Sequence, residues 1–402
     1  MAPSPTARIV LGLAFILVLA VLANHPRFRD VERRLGVGVF AAVGLPFLLL
    51  GALFATDAVD VLTPHLLVEL RPAFEFALGW MGFVVGVRLD LRELDRLPRS
   101  LGILLACQTL VPAALTVLAA GPLLHAFGLG PGNGLVRDLL LLAGCAAASA
   151  PVAANALGRD RMHGELLRVV AGLDAFIALL ALAAVSIYLR PDAAITNWSL
   201  PGSAWLLLMA GLGALLGVVT FFLLRAATSE TEQVALLIGA VALSAGAAGY
   251  LDLSSPVVCA LAGAVLANLP HGDEARFTRI LKDVERPLYL TLLVIVGATW
   301  SAWDWRAWAL AAAFVLGRIL GKYVAARVAV RADPSLPPAS LLAPMLMPQG
   351  PVAIVVMAAA GAVYGLEFPA PVGWAIHAAI VGAIVSEIVA RALRRRAIAS
   401  VA

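Results

Sequence analysis

The chain of 402 residues is 62% hydrophobic and only 13% charged, whereas an ordinary soluble domain carries roughly a quarter of its residues as charged side chains. This composition excludes a water-soluble globule. The formal net charge of +4, from 27 arginines and 2 lysines, raises nucleic-acid binding as an option only until the positions of those charges are considered.

Apolar stretches long enough to cross about 30 Å of hydrocarbon occur thirteen times, near residues 8–24, 35–55, 65–87, 99–126, 135–157, 164–190, 203–225, 232–251, 254–269, 285–300, 305–331, 338–364 and 369–396. The first resembles a signal peptide in position. Its apolar part is longer than a usual signal core, however, and Asn24-His25-Pro26 follows where a small-residue cleavage site belongs, so it is read as a spanning helix. Basic residues in short loops mark the cytoplasmic side. Assigning alternate loops places 22 Lys and Arg on one side and 4, Arg8, Arg137, Arg190 and Arg306, on the other. That split requires the N-terminus outside and the C-terminus in the cytoplasm. The arginines are thus topology determinants of a multi-pass protein, expected in a bacterial inner (plasma) membrane with lipid as its surroundings, and nucleic acid is not a partner.

Three basic residues remain inside spans, Arg71, Arg318 and Lys322, together with the acidic Glu69, Glu75, Asp174 and Glu387. Ionisable groups in hydrocarbon are costly and mark functional positions. Asp174 lies ten residues from the cytoplasmic end of the sixth span, about 15 Å deep at 1.5 Å per residue, and Lys322 and Glu387 fall at a comparable depth in the eleventh and thirteenth. Asp174 and Lys322 are expected to meet; Glu387 is a secondary candidate. Around Lys322, glycines at 317 and 321 and bases at 318 and 322 form neighbouring i, i+4 stripes, one for a close helix crossing and one pointing cations inward. A buried ion pair that only fastens helices is the alternative reading.

The fifth span contains Ser149-Ala150-Pro151 and the twelfth Pro344 and Pro348-Gln349-Gly350-Pro351. Proline removes a backbone donor and clashes with the preceding turn, so both spans should unwind. Unwound backbone at membrane depth is tolerated only against protein or a water-filled cavity. The two breaks fall at matching places if spans 1–6 and 8–13 form six-helix repeats around a linker span, inverted relative to one another, which is the sequence pointer to a transporter binding site. Cys107, Cys145 and Cys259 sit in apolar runs without ligand spacing, so no disulfide, metal or other cofactor is expected. His25, His65, His125, His163 and His271 lie in loops or at span ends and His377 is isolated, with no catalytic spacing around any of them. An enzyme is not expected.

Several fragments resemble one family. Leu78 to Leu91 (LGWMGFVVGVRLDL) is similar to a third-helix exit ending in G-x-x-L-D-L, and Ser255 to Asn268 (SPVVCALAGAVLAN) to a GAFLAGLVLAN segment. Arg318 to Lys322 is similar to an R-x-x-G-K helix, Pro348 to Val352 to a Pro-x-Gly break, and Ser386-Glu387-Ile388 to a last-helix S-E-I. In this order they resemble the transmembrane domain of the monovalent cation:proton antiporter-2 superfamily of Kef-type potassium/proton and related sodium/proton antiporters, over nearly the whole chain. The resemblance implies an all-α membrane fold of thirteen helices in two inverted repeats (about 8–190 and 232–396, joined by a linker helix at about 203–225). It also implies a homodimer in which a core domain slides against a dimerisation domain. It maps the ion- and proton-binding group onto Asp174 with Ser149, its basic partner onto Lys322 with Arg318, and the crossing of discontinuous helices onto Ala150, Pro151, Pro348, Gln349, Gly350 and Pro351. The implied activity is exchange of Na+ or K+ for H+ by alternating access. Leu173 stands where well-defined sodium exchangers carry Asp or Asn, which leaves one obvious ionisable ligand and favours one-for-one exchange. The chain ends just past Arg396, so no nucleotide-binding regulatory domain is expected. Transport of an organic anion on the same scaffold, or a non-transporting membrane subunit, are the other readings.

Overall fold

The computed structural model describes residues 44–56, 62–94, 100–150, 161–190, 200–270, 274–300, 304–365 and 369–399. The expected first span and residues 35–43 of the second lie outside the described residues. Within them every regular element is helical: α1 (Leu45–Phe54), α2 (Pro64–Glu69), α3 (Arg71–Val87), α4 (Leu91–Leu94), α5 (Ser100–Ala126), α6 (Asn133–Ala147), α7 (Arg161–Tyr188), α8 (Gly202–Ala226), α9 (Glu230–Tyr250), α10 (Ser255–Asn268), α11 (Glu274–Ala298), α12 (Trp305–Ala332), α13 (Ala339–Leu346), α14 (Pro351–Tyr364) and α15 (Pro369–Ala399).

Six of the described helices, α5, α7, α8, α9, α12 and α15, are long and apolar enough to cross a bilayer, and the pair α13 and α14, bent by 40° at its break, makes a seventh. The chain is therefore a multi-pass membrane protein. Its outward surface agrees with that: Leu206, Leu207, Leu215 and Phe222 on α8, Leu110 and Leu118 on α5, and Leu316 and Leu320 on α12 are exposed, while Asp174, Arg318 and Lys322 are fully buried. In water this arrangement would be inverted.

Element boundaries depart from the apolar runs where proline or charge intervenes. The run 65–87 is two helices, because Pro72 cannot donate to the carbonyl four residues back and the helix restarts at Arg71. Conversely, α11 starts at Glu274, ahead of the apolar run at 285, since its charged first part is also helical. Arg137, assigned by alternation to an external loop, is buried in α6 with its Nε 2.8 Å from Asp138 Oδ1 and its guanidinium over the Tyr364 ring.

The helices pack in two groups. One gathers α3, α8, α9 and α10, with α11 and α1 alongside; the other gathers α5, α6, α7, α12, α13, α14 and α15. In the first, α3 and α10 touch backbone to backbone: a Cβ on Gly82 would lie 2.0 Å from the Pro256 carbonyl oxygen and one on Gly86 would lie 1.9 Å from that of Ala260. Small residues permit such crossings where lipid offers no hydrophobic drive. Asn268 at the end of α10 closes the pair, accepting from Leu91 N at 2.9 Å and donating to Leu89 O at 2.8 Å. Thus the two quoted segments around Leu89 and Asn268 are one structural unit. Gly82→Val should separate α3 from α10 and cost at least the about 1–3 kcal/mol of ordinary overpacking, read as a lowered unfolding temperature in detergent. Gly102→Val, where an added Cβ meets nothing within 4 Å, should leave it near wild type.

Candidate ion-binding site

The site lies in the second group, where α6 and α13 both stop inside the protein. Ala148 leaves the helical region with ψ 134°, ending α6, and α13 ends at Leu346 before α14 restarts at Pro351. Gly350, between the two, has φ 72°, a conformation open to glycine at little cost, and a Cβ there would come within 3.0 Å of Ala150 Cβ. The segment after α6 touches the break between α13 and α14: Ala150 N donates to Pro348 O at 2.7 Å. Pro151 lies outside the described residues.

A broken helix leaves carbonyls without intrahelical donors, and in hydrocarbon each must find a partner. Here α12 supplies most of them. The Arg318 guanidinium donates through Nη2 to Ala148 O at 2.7 Å, and through Nη1 to Met347 O and to Ser386 Oγ on α15. Lys322 Nζ donates to Ala147 O at 2.6 Å. Gln349 Nε2 donates to Cys145 O at 3.1 Å and Ser149 Oγ reaches Leu346 O at 3.0 Å. One arginine therefore ties the end of α6 and the break after α13 to α15. Positive charge at helix C-termini is also favourable to the helix dipole.

Lys322 does more than cap. Its ammonium lies 3.2 Å from Asp174 Oδ2, both groups having no solvent exposure. Ser149 Oγ is 2.7 Å from the same carboxylate oxygen and accepts from Lys322 Nζ at 2.8 Å. Thr109 Oγ1, on α5, donates to Asp174 Oδ1 at 3.1 Å, and Gln108 O accepts from Lys322 Nζ at 3.1 Å. Depth holds these groups in register: α12 lies against α5 with Gly321 on Pro112 and Gly317 on Thr116, where added Cβ atoms would fall 2.4 Å and 2.9 Å from the facing Cα atoms. The glycine stripe makes the contact and the adjacent stripe delivers both cations.

The structure thus brings together Asp174, Ser149, Lys322 and, one layer away, Arg318, Ala150, Pro348, Gln349 and Gly350. Glu387 is placed differently: its Oε1 lies 2.6 Å from Arg391 Nε and 3.5 Å from Arg394 Nη2 on its own helix. Ser386, its neighbour, is the residue that reaches the site. Leu173 is partly buried and packs in the apolar cluster with Val170, Ala171, Leu342 and Leu346. Sequence reasoning missed Thr109 and Gln108. Their signal was a polar pair in the apolar fourth run, as far from its cytoplasmic end as Asp174 is from that of the sixth.

The arrangement holds one carboxylate, two hydroxyls and several carbonyls around one ammonium. That is an oxygen-rich centre in which the carboxylate is balanced by the ammonium. Among curated protein sequences none matches this chain. Solved structures do: the sodium proton antiporter MjNhaP1 from Methanocaldococcus jannaschii, at pH 8, aligns with a TM-score of 0.63 at 13% identity over 95% of this chain and 96% of its own. A second structure of that antiporter, from an electron-microscopy map, gives 0.63 at 16% identity over 94% and 95%. At such identities the likeness establishes the fold. The family described as sodium/hydrogen exchanger, transmembrane, matches residues 1–393, which is nearly the entire length, and the chain belongs to this family of membrane transporters.

Proposed function

We propose that this protein exchanges a monovalent cation, Na+ or K+, for H+ across the membrane, with Asp174 as the site that proton and cation share. The observation that carries the reading is the fully buried Asp174 carboxylate, balanced by Lys322 at 3.2 Å and flanked by the hydroxyls of Ser149 and Thr109. An uncompensated carboxylate buried in a protein is costly, so the site crosses readily only when Asp174 is neutralised. In the proposed cycle a bound proton or a bound alkali cation does that, displacing Lys322 from the carboxylate it now faces. A bound proton and a bound cation leave the same net charge beside Lys322, so exchange of one for the other is one-for-one and electroneutral. Because Asp174 has no solvent exposure in this conformation, ions reach it only after rearrangement, as alternating access requires.

The fold supports the rest of the reading. The group built on α5, α6, α7, α12, α13, α14 and α15 serves as the moving core and the group containing α3, α8, α9 and α10 as the dimerisation domain of a homodimer. Thirteen spans in two inverted repeats, with the N-terminus outside and the C-terminus in the cytoplasm of a bacterial inner membrane, account for the charge alternation. MjNhaP1, a sodium proton antiporter by its name, makes sodium the first cation to test. In inside-out vesicles with an acidified lumen, adding sodium, potassium, lithium and choline in turn should alkalinise the lumen for at least one alkali cation and not for choline. Flux that follows an organic anion and ignores alkali cations would defeat the proposal.

A further inference from the structure

Gln108 carries the least settled buried group beside the site. Its side chain is fully buried in α5, and among the described residues neither Oε1 nor Nε2 has a hydrogen-bond partner. A buried amide without partners costs as much as a lost hydrogen bond at each end, so a partner in another state of the cycle is the economical explanation. Its position names that partner. The Gln108 carbonyl already accepts from Lys322 Nζ, and Gln108, Pro112 and Thr116 form one buried i, i+4 stripe whose Pro112 and Thr116 press on Gly321 and Gly317 of α12.

The donor count at Lys322 shows when the partner is needed. An ammonium has three N–H donors, and Nζ has four acceptors within reach: Gln108 O, Ala147 O, Ser149 Oγ and Asp174 Oδ2. A cation at Asp174 takes two of them, the carboxylate oxygen and the serine hydroxyl, and repels the ammonium from both. Two backbone carbonyls then remain for three donors. We infer that the Gln108 side-chain oxygen is the third acceptor, receiving the Lys322 ammonium when a monovalent cation displaces it from Asp174. Gln108 is a positioning residue in this scheme: it stabilises the cation-loaded state through the lysine and touches no transported ion. The inference rests on the reading of Asp174 as the cation site.

The test uses Gln108→Met, near-isosteric and without an acceptor, and Gln108→Glu, which keeps one. Cation binding to the purified protein in detergent is read as the rise in unfolding temperature with sodium, potassium or lithium, alongside exchange in vesicles. Gln108→Met should need about tenfold more cation for the same rise, as expected for one lost charge-assisted hydrogen bond. The factor should be the same for every cation bound, with the cation-free unfolding temperature undiminished, and Gln108→Glu, whose acceptor also attracts the ammonium, should need no more cation than wild type. An unchanged requirement, or a lowered cation-free unfolding temperature alone, overturns the inference as a packing role. A change confined to one cation overturns it in favour of direct ligation. Wild-type protein that neither binds nor exchanges any alkali cation removes the underlying reading as well, whereas wild-type exchange with an indifferent Gln108→Met removes this inference only.

Discussion

Asp174→Asn is expected to abolish cation-dependent proton movement in vesicles while leaving a folded protein. Asparagine keeps the size and one carbonyl oxygen, which can accept from Ser149 in place of Oδ2, while its amide nitrogen in place of Oδ1 can donate to the Thr109 hydroxyl, which turns to accept. What it loses is the negative charge for which a proton and a cation compete in the proposed exchange. The amide binds no proton at neutral pH and offers an alkali cation only a dipole. Lys322 keeps its bonds to Gln108 O, Ala147 O and Ser149 Oγ, so the lone ammonium remains hydrogen-bonded and the cost falls on function more than on folding. Exchange retained at even a tenth of the wild-type rate, from protein of wild-type abundance, would show that Asp174 is not the shared site and would return the Asp174–Lys322 pair to the role of a helix fastener.

How much of this centre was legible in the sequence depended on whether chemistry or geometry fixed each part. Asp174 and Lys322 were legible because charge in hydrocarbon has few bland explanations and their distances from the span ends agreed. The break between α13 and α14 was legible because proline and glycine act locally: α13 stops at Leu346, two residues before Pro348, and α6 likewise stops at Ala147, ahead of Pro151. Glu387 shared the depth of Asp174 but was drawn to Arg391 and Arg394, one helical turn and two turns along its own helix; depth without azimuth is half a coordinate. Arg137 was misplaced for the related reason that loop alternation counts charges without asking whether a neighbour such as Asp138 lets them sink. Gln108 and Thr109 were passed over because an uncharged polar pair in an apolar run has many bland explanations, and Gln108 reaches Lys322 through its main-chain carbonyl, which no residue type signals. The assignment of capping to Arg318 also came only from the structure, where one guanidinium answers carbonyls from two separate helix ends.

Lys322→Met should be the most destabilising substitution in the centre, and a second substitution should partly cure it. Methionine fills similar volume without charge or donors. It leaves the Asp174 carboxylate buried with only two hydroxyls, and strips the donor from Ala147 O and Gln108 O. Removing one partner of a buried pair costs about 3–5 kcal/mol, a large share of the about 5–15 kcal/mol that holds a typical domain. The unfolding temperature in detergent should fall accordingly. Combining Lys322→Met with Asp174→Asn removes the stranded charge, so the double variant should be more stable than Lys322→Met alone although it carries one more change. Destabilisations that simply add would mean the two groups do not interact, contrary to the 3.2 Å contact. Neither variant should exchange ions, and the reason differs in a way binding can separate. Lys322→Met keeps a carboxylate with no internal competitor and should hold an alkali cation more tightly than wild type, visible as a larger cation-dependent rise in unfolding temperature. The double variant should show no rise at all. That pair of results would make the lysine a competitor that keeps the site weak enough to release its ion, a role that a mere fastener has no reason to fill.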